Sequence, residues 1–103
     1  MKLYLTTDEM RRFLYIEPGE EEELLTDLIE EAQDIVGSYL EYADLDDFER
    51  ADGTLPAGLK GAIKTYVACR YGSREALTKD QEETVKLGVI PYAKLTQKKG
   101  GAR

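Results

Sequence analysis

From Leu24 to Leu40 the apolar residues Leu24, Leu25, Leu28, Ile29, Ala32, Ile35, Val36, Tyr39 and Leu40 recur at steps of one, three or four, while Asp27, Glu30, Glu31 and Asp34 fill the other face. Such a stripe has the period of an α-helix and has to be buried against another element. Pro18-Gly19 interrupts the chain before it, and Glu20, Glu21, Glu22 and Glu23 place negative charge at the positive end of the coming helix dipole. No period-two pattern longer than a few residues competes with it. The reading is an all-α fold, a small bundle of three to four helices with a long amphipathic second helix and a partly mobile C-terminal tail.

The rest of the chain supplies partners for that stripe. Thr7 is placed to cap a short helix from about Asp8 to Leu14, with Met10, Phe13 and Leu14 at helical spacing. Residues 41–54 read as an acidic surface loop outside the core, with one helical turn near Asp46 to Arg50 and a turn pair at Asp52-Gly53. Leu55-Pro56 opens a third helix through Leu59, Ala62, Ile63, Tyr66 and Val67, which Gly72 ends. A weaker fourth helix is expected from Lys79 to Leu87, stopped by Gly88 and Ile90-Pro91. This gives one helical domain over residues 1–90 and a basic tail, flexible or ordered by a partner, over 91–103. A chain of 103 residues suffices for one modest core.

Chemistry is hard to find in these residues. There is no histidine, which removes the commonest general base and metal ligand, and the serines and threonines lack an activating partner. No glycine loop of phosphate-binding type and no GxSxG elbow is present. An EF-hand register beginning at Asp44 fails, since Phe48 and Glu49 stand where an oxygen ligand and a glycine are required. Cys69, the lone cysteine, reads as a small buried thiol in the third helix rather than a reactive one. It cannot make an internal disulfide, which suits a reducing compartment. The expectation is no enzyme, no cofactor and no metal. No apolar run approaches the roughly 20 residues of a membrane helix, and the first residues lack the apolar core of a secretion signal, so neither a membrane role nor export is expected. Tyr39, Tyr42, Tyr66, Tyr71 and Tyr92 are candidates for core edges or an interface. A helix-turn-helix DNA reader is disfavoured by a net charge of −7.

The charge is unevenly divided. Residues 1–55 hold seventeen acidic and four basic side chains, a balance of −13, whereas residues 56–103 hold four acidic and ten basic, a balance of +6. Two explanations stand side by side: helical layers of one domain attracting each other, or acidic and basic faces that join copies head to tail. In the second, Glu20, Glu21, Glu22, Glu23, Glu30, Glu31 and Asp34 meet Lys60, Lys64, Arg70 or Arg74 of a neighbouring copy.

Three segments, in order, resemble the head-tail connector (adaptor) proteins of tailed bacteriophages and prophages. Leu5-Thr6-Thr7-Asp8-Glu9-Met10-Arg11-Arg12-Phe13-Leu14-Tyr15-Ile16 is similar to the family's opening helix, and Glu22-Glu23-Leu24-Leu25 with Leu28-Ile29 and Ala32 is similar to its second. Leu55-Pro56, Leu59-Lys60, Ala62-Ile63, Val67-Ala68, Tyr71 and Arg74-Glu75 are similar to its third. Together they span residues 5–75. The tail departs from the family's, since Val89-Ile90-Pro91-Tyr92 is followed by basic residues. The resemblance implies a non-enzymatic subunit of the virion neck, assembled in the host bacterial cytoplasm. It implies a homo-oligomeric, dodecameric ring on the portal protein, extending the DNA channel and docking the next neck or tail protein. DNA would be passing cargo without sequence-specific binding. Tyr92, Lys94, Lys98 and Lys99 are the residues assigned to portal or tail contact. The competing reading is an acidic helical interaction or regulatory module outside virion assembly.

Overall fold

The computed structural model describes residues 2–41, 43–73 and 75–101, with side chains through Lys94. Four α-helices form, α1 (Thr7–Leu14), α2 (Glu22–Ser38), α3 (Ala57–Ser73) and α4 (Lys79–Gly101), with a 3₁₀ turn at Leu45–Phe48. There is no strand among the described residues. α3 is the central element: its most extensive contacts are with α2 and with α4, and α1 packs on α2 and α3 without reaching α4.

α1 begins one residue earlier than Thr7 alone would suggest, because Thr6 finds its reciprocal partner three residues on. The Thr6 hydroxyl accepts from the Glu9 amide at 3.1 Å, and the Glu9 carboxylate accepts from the Thr6 amide at 3.2 Å. The helix ends at Tyr15, held in the left-handed region at φ 59°. α2 starts after Glu21, also left-handed at φ 59°, with no side-chain cap. Instead, buried Arg11 donates from Nε to the Glu20 carbonyl at 2.9 Å and pairs with Asp8 and Glu22, fastening the start of α2 to α1.

The apolar face of α2 buries Leu25, Leu28, Ile29, Ala32 and Val36 against Leu59, Ala62, Ile63, Tyr66 and Val67 of α3 and Val85 and Val89 of α4. Gln33 interrupts that face with a purpose. Its side chain is buried, accepts the Tyr4 amide at 2.7 Å and donates to the Lys2 carbonyl at 2.8 Å, pinning the first residues along α2.

Two expectations are corrected. The acidic loop does not lie wholly outside the core: Leu45 is buried, and Phe48 packs on the core and against Tyr92 in an edge-to-face pair with centroids 5.6 Å apart. Their spacing of three residues is that of one helical turn, and the Asp44/Asp47 capping pair closes it. The fourth helix does not stop at Leu87 but continues to Gly101. Gly88 is a contact rather than a terminator, since a Cβ there would lie 3.4 Å from that of Ala62, so α4 and α3 approach closely at this level. Pro91 leaves the carbonyl of Leu87 without its helical donor, but both residues are exposed and water can reach that oxygen.

Candidate functional site

The charges assigned to a contact between copies fall into two groups. One group is engaged inside the chain. The Arg70 guanidinium meets the Glu31 carboxylate at 2.8 Å, and the Tyr66 hydroxyl donates to the same carboxylate at 2.8 Å. The Arg70 hydrogen bond, opposed by burial and aided by Tyr66, holds the Glu31 carboxyl below the ordinary range, while burial and the Glu31 charge push the Tyr66 phenol up to about 12. Lys60 pairs with Glu9 at 2.7 Å; there burial works to raise the Glu9 carboxyl, but the Lys60 and Thr6 hydrogen bonds outweigh it and the net shift is downward. Glu22 belongs to the Arg11 cluster and also accepts from the Thr7 hydroxyl at 3.0 Å. Lys64 lies over the Phe13 ring, 5.8 Å from its centroid.

The other group faces water. Glu23, Glu30 and Asp34 are exposed, and with Asp27, which the sequence reading did not assign to that contact, they follow one another at steps of four, three and four along α2. They form one ridge, and among the described residues no cation lies within 4 Å of any of them. Like charges at that spacing repel, so the ridge weakens its own helix slightly and favours a cationic partner. Glu20 is exposed with its backbone carbonyl taken by Arg11, and Glu21 occupies the turn before α2. Arg74 lies outside the described residues, as do the side chains of Lys98 and Lys99.

Of the residues assigned to portal or tail contact, Lys94 is exposed, whereas Tyr92 packs inward. Its ring lies across α3 so closely that a Cβ on Gly58 would sit 2.5 Å from its hydroxyl, with Phe48 against its edge. A similar hidden linkage holds the N-terminal segment: the Tyr4 hydroxyl shares its proton between Asp46 at 2.5 Å and Glu49 at 2.8 Å, and Lys2 pairs with Glu49 at 2.9 Å. Burial and those carboxylates raise the Tyr4 phenol, and Lys2, with Tyr4, lowers the Glu49 carboxyl. Arg11, Tyr4 and the Gly58/Tyr92 contact carried no local sequence signal; the spacing of Leu45 and Phe48 did.

Among the described residues no group of three His, Cys, Asp or Glu side chains is placed to hold a metal ion. No described helix is long and apolar enough to cross a membrane. Residues 4–95 match the profile of the phage gp6-like head-tail connector proteins, and the chain belongs to that family. Neither a curated protein nor a solved structure matches it. The family is structural and non-enzymatic, so the chain's role is that of a connector component in phage head-to-tail assembly.

Proposed function

We propose that the chain is a ring-forming subunit of the virion neck, assembled in the host cytoplasm, which sits on the portal protein, extends the DNA channel and presents a docking surface to the next neck or tail protein. The family match over residues 4–95 carries this reading. The unpaired ridge of Glu23, Asp27, Glu30 and Asp34 supports it, because it gives one side of the subunit an acidic face that a basic neighbour can neutralise. Within the pairs considered from the sequence, Glu30 and Asp34 remain available to reach Lys64 of the next copy, whereas Glu31, Arg70 and Lys60 have intrachain partners that a neighbour would have to share. A net charge of −7 per copy suits a conduit that must not grip passing phosphates.

Native mass spectrometry across a wide concentration range, at low and moderate salt, with negative-stain images of large species, tests the proposal. Closed rings of one stoichiometry that weaken as salt rises are expected. Charge reversal at Glu30 and Asp34 should weaken them further. Ring formation untouched by both salt and charge reversal would remove the acidic ridge from the interface; a monomer at every concentration would overturn spontaneous ring closure.

A further inference from the structure

Two parts of the described surface present apolar side chains, an exposed corner and a groove. The first is the corner at the end of α1. Tyr15 is 97% exposed and Phe13 47%, with Arg12 exposed beside them and Lys64 over the Phe13 ring. Tyr15 also holds a left-handed C-cap conformation in which glycine or asparagine is usual, so the chain accepts backbone strain to display a full aromatic side chain in water. The second is a groove of about 500 Å³ between the end of α2 and the outer side of α4. Tyr39, Val89, Ile90 and Ala93 supply its apolar surface. Its charged rim comprises Glu41, Glu83, Lys86 and Lys94. Lys86 is neutralised by Glu82 at 3.0 Å and lies over the Tyr39 ring, leaving Glu41 and Glu83 against Lys94. The acidic ridge of α2 runs into this rim, since Asp34 is one helical turn before Ser38, which lines the groove.

We infer that Phe13 and Tyr15 of one copy insert into the α2–α4 groove of the next, with Arg12 set against Glu41 and Glu83. The same chain's corner does not fill the groove, because among the described residues α1 and α4 make no contact. A projecting aromatic pair with a basic flank matches a concave apolar groove with an acidic flank, and Tyr and Arg are the residue types that anchor interfaces. Such a contact is heterologous, each copy giving one surface and receiving the other, so its repetition either closes a ring or runs on as a filament. This inference rests on the ring reading above and supplies that ring with its apolar centre.

The test uses the full chain in a Cys69→Ser background, one protein carrying Tyr15→Cys and the other Ile90→Cys, both at exposed positions. Mixed and oxidised, they should give 15–90 disulfide heterodimers about tenfold in excess over either homodimer. Arg12→Glu should weaken self-association about tenfold, and Glu83→Arg added to it should restore most of the loss, a rescue that mere misfolding would not show. If wild-type rings form but 15–90 cross-links do not exceed homodimers, the groove assignment is overturned while the ring reading stands. If cross-links form and rings do not, the contact is upheld and ring closure is lost. If neither forms, both are overturned.

Discussion

Gly58→Ala should destabilise the protein, although the same change in most exposed helical positions would stabilise it. Gly58 lies in the first turn of α3, where alanine is favoured by up to about 1 kcal/mol over glycine. Against this, the new Cβ would stand 2.5 Å from the Tyr92 hydroxyl, 2.8 Å from its Cε2 and 3.1 Å from its Cζ. No real methyl tolerates those distances, so the ring must swing away. Its freedom to do so is limited, because Phe48 sits edge-on at 5.6 Å. Moving it forfeits that aromatic pair, about 0.5–1.5 kcal/mol, and strains the seam between α3 and α4, where overpacking typically costs about 1–3 kcal/mol. The balance is a loss of about 1–2 kcal/mol, or a fall in Tm of roughly 5–10 °C for a chain of this size. Urea unfolding followed by far-ultraviolet circular dichroism measures it. In a Tyr92→Ala background the obstacle is gone, and Gly58→Ala should become stabilising. If Gly58→Ala has the same effect with and without the Tyr92 ring, that ring does not lie across α3 and the placement of α4 described here is wrong.

Pro91→Ala should restore a donor to the Leu87 carbonyl and stabilise α4 by up to about 3 kcal/mol; an unchanged Tm and unchanged helical ellipticity would mean that the helix ends before Pro91. Leu45→Ala should cost about 2–4 kcal/mol in urea unfolding, since the loop residue is buried, whereas a loss under about 0.5 kcal/mol would return that loop to the surface. Glu31→Gln should flatten the acid sensitivity of stability: the folded carboxyl lies below its ordinary 4.5, so its contribution is present above that value and lost as pH falls through the lower one. An identical decline in the urea midpoint from about pH 6 to 3 in both proteins would refute the Arg70 pairing. Tyr66→Phe should remove one late-ionising phenol from the alkaline absorbance titration, because Tyr66 keeps its proton up to about pH 12.

Periodicity in the sequence carried the bundle itself. The stripe along α2 and the Leu59, Ala62, Ile63, Tyr66 and Val67 face of α3 repeat often enough to outweigh local noise, and both are buried as the spacing requires. Punctuation was less reliable. Gly88 and Pro91 look alike as helix stops, yet one makes room for Ala62 and the other lies where water can serve the carbonyl it orphans. A stop signal depends on which face of the helix bears it, and that is a tertiary fact. The short apolar pair Leu45 and Phe48 sits among carboxylates that dominate the loop's composition, so the loop reads as solvent although its turn reaches the core.

The candidate site was legible as a charge imbalance and not as contacts, for a reason that bears on how connectors of this type assemble. Glu31 and Arg70 are 39 residues apart, and Glu9 and Lys60 are 51 apart, so the sequence alone cannot tell attraction within a subunit from attraction between subunits. The fold separates the two. Pairs at the α2–α3 and α1–α3 seams tie down the subunit and are half sheltered from salt. The ridge of Glu23, Asp27, Glu30 and Asp34 is left in water, where screening is strongest. In the proposed ring, folding and assembly would therefore draw on different parts of one charge asymmetry. An increase in salt that leaves the monomer's Tm nearly unchanged should still loosen self-association, and parallel measurements of both on the same samples would show them moving apart. If Tm and oligomer size fell together with salt, the seam pairs and the ridge would be one electrostatic unit, and the division drawn here between them would fail.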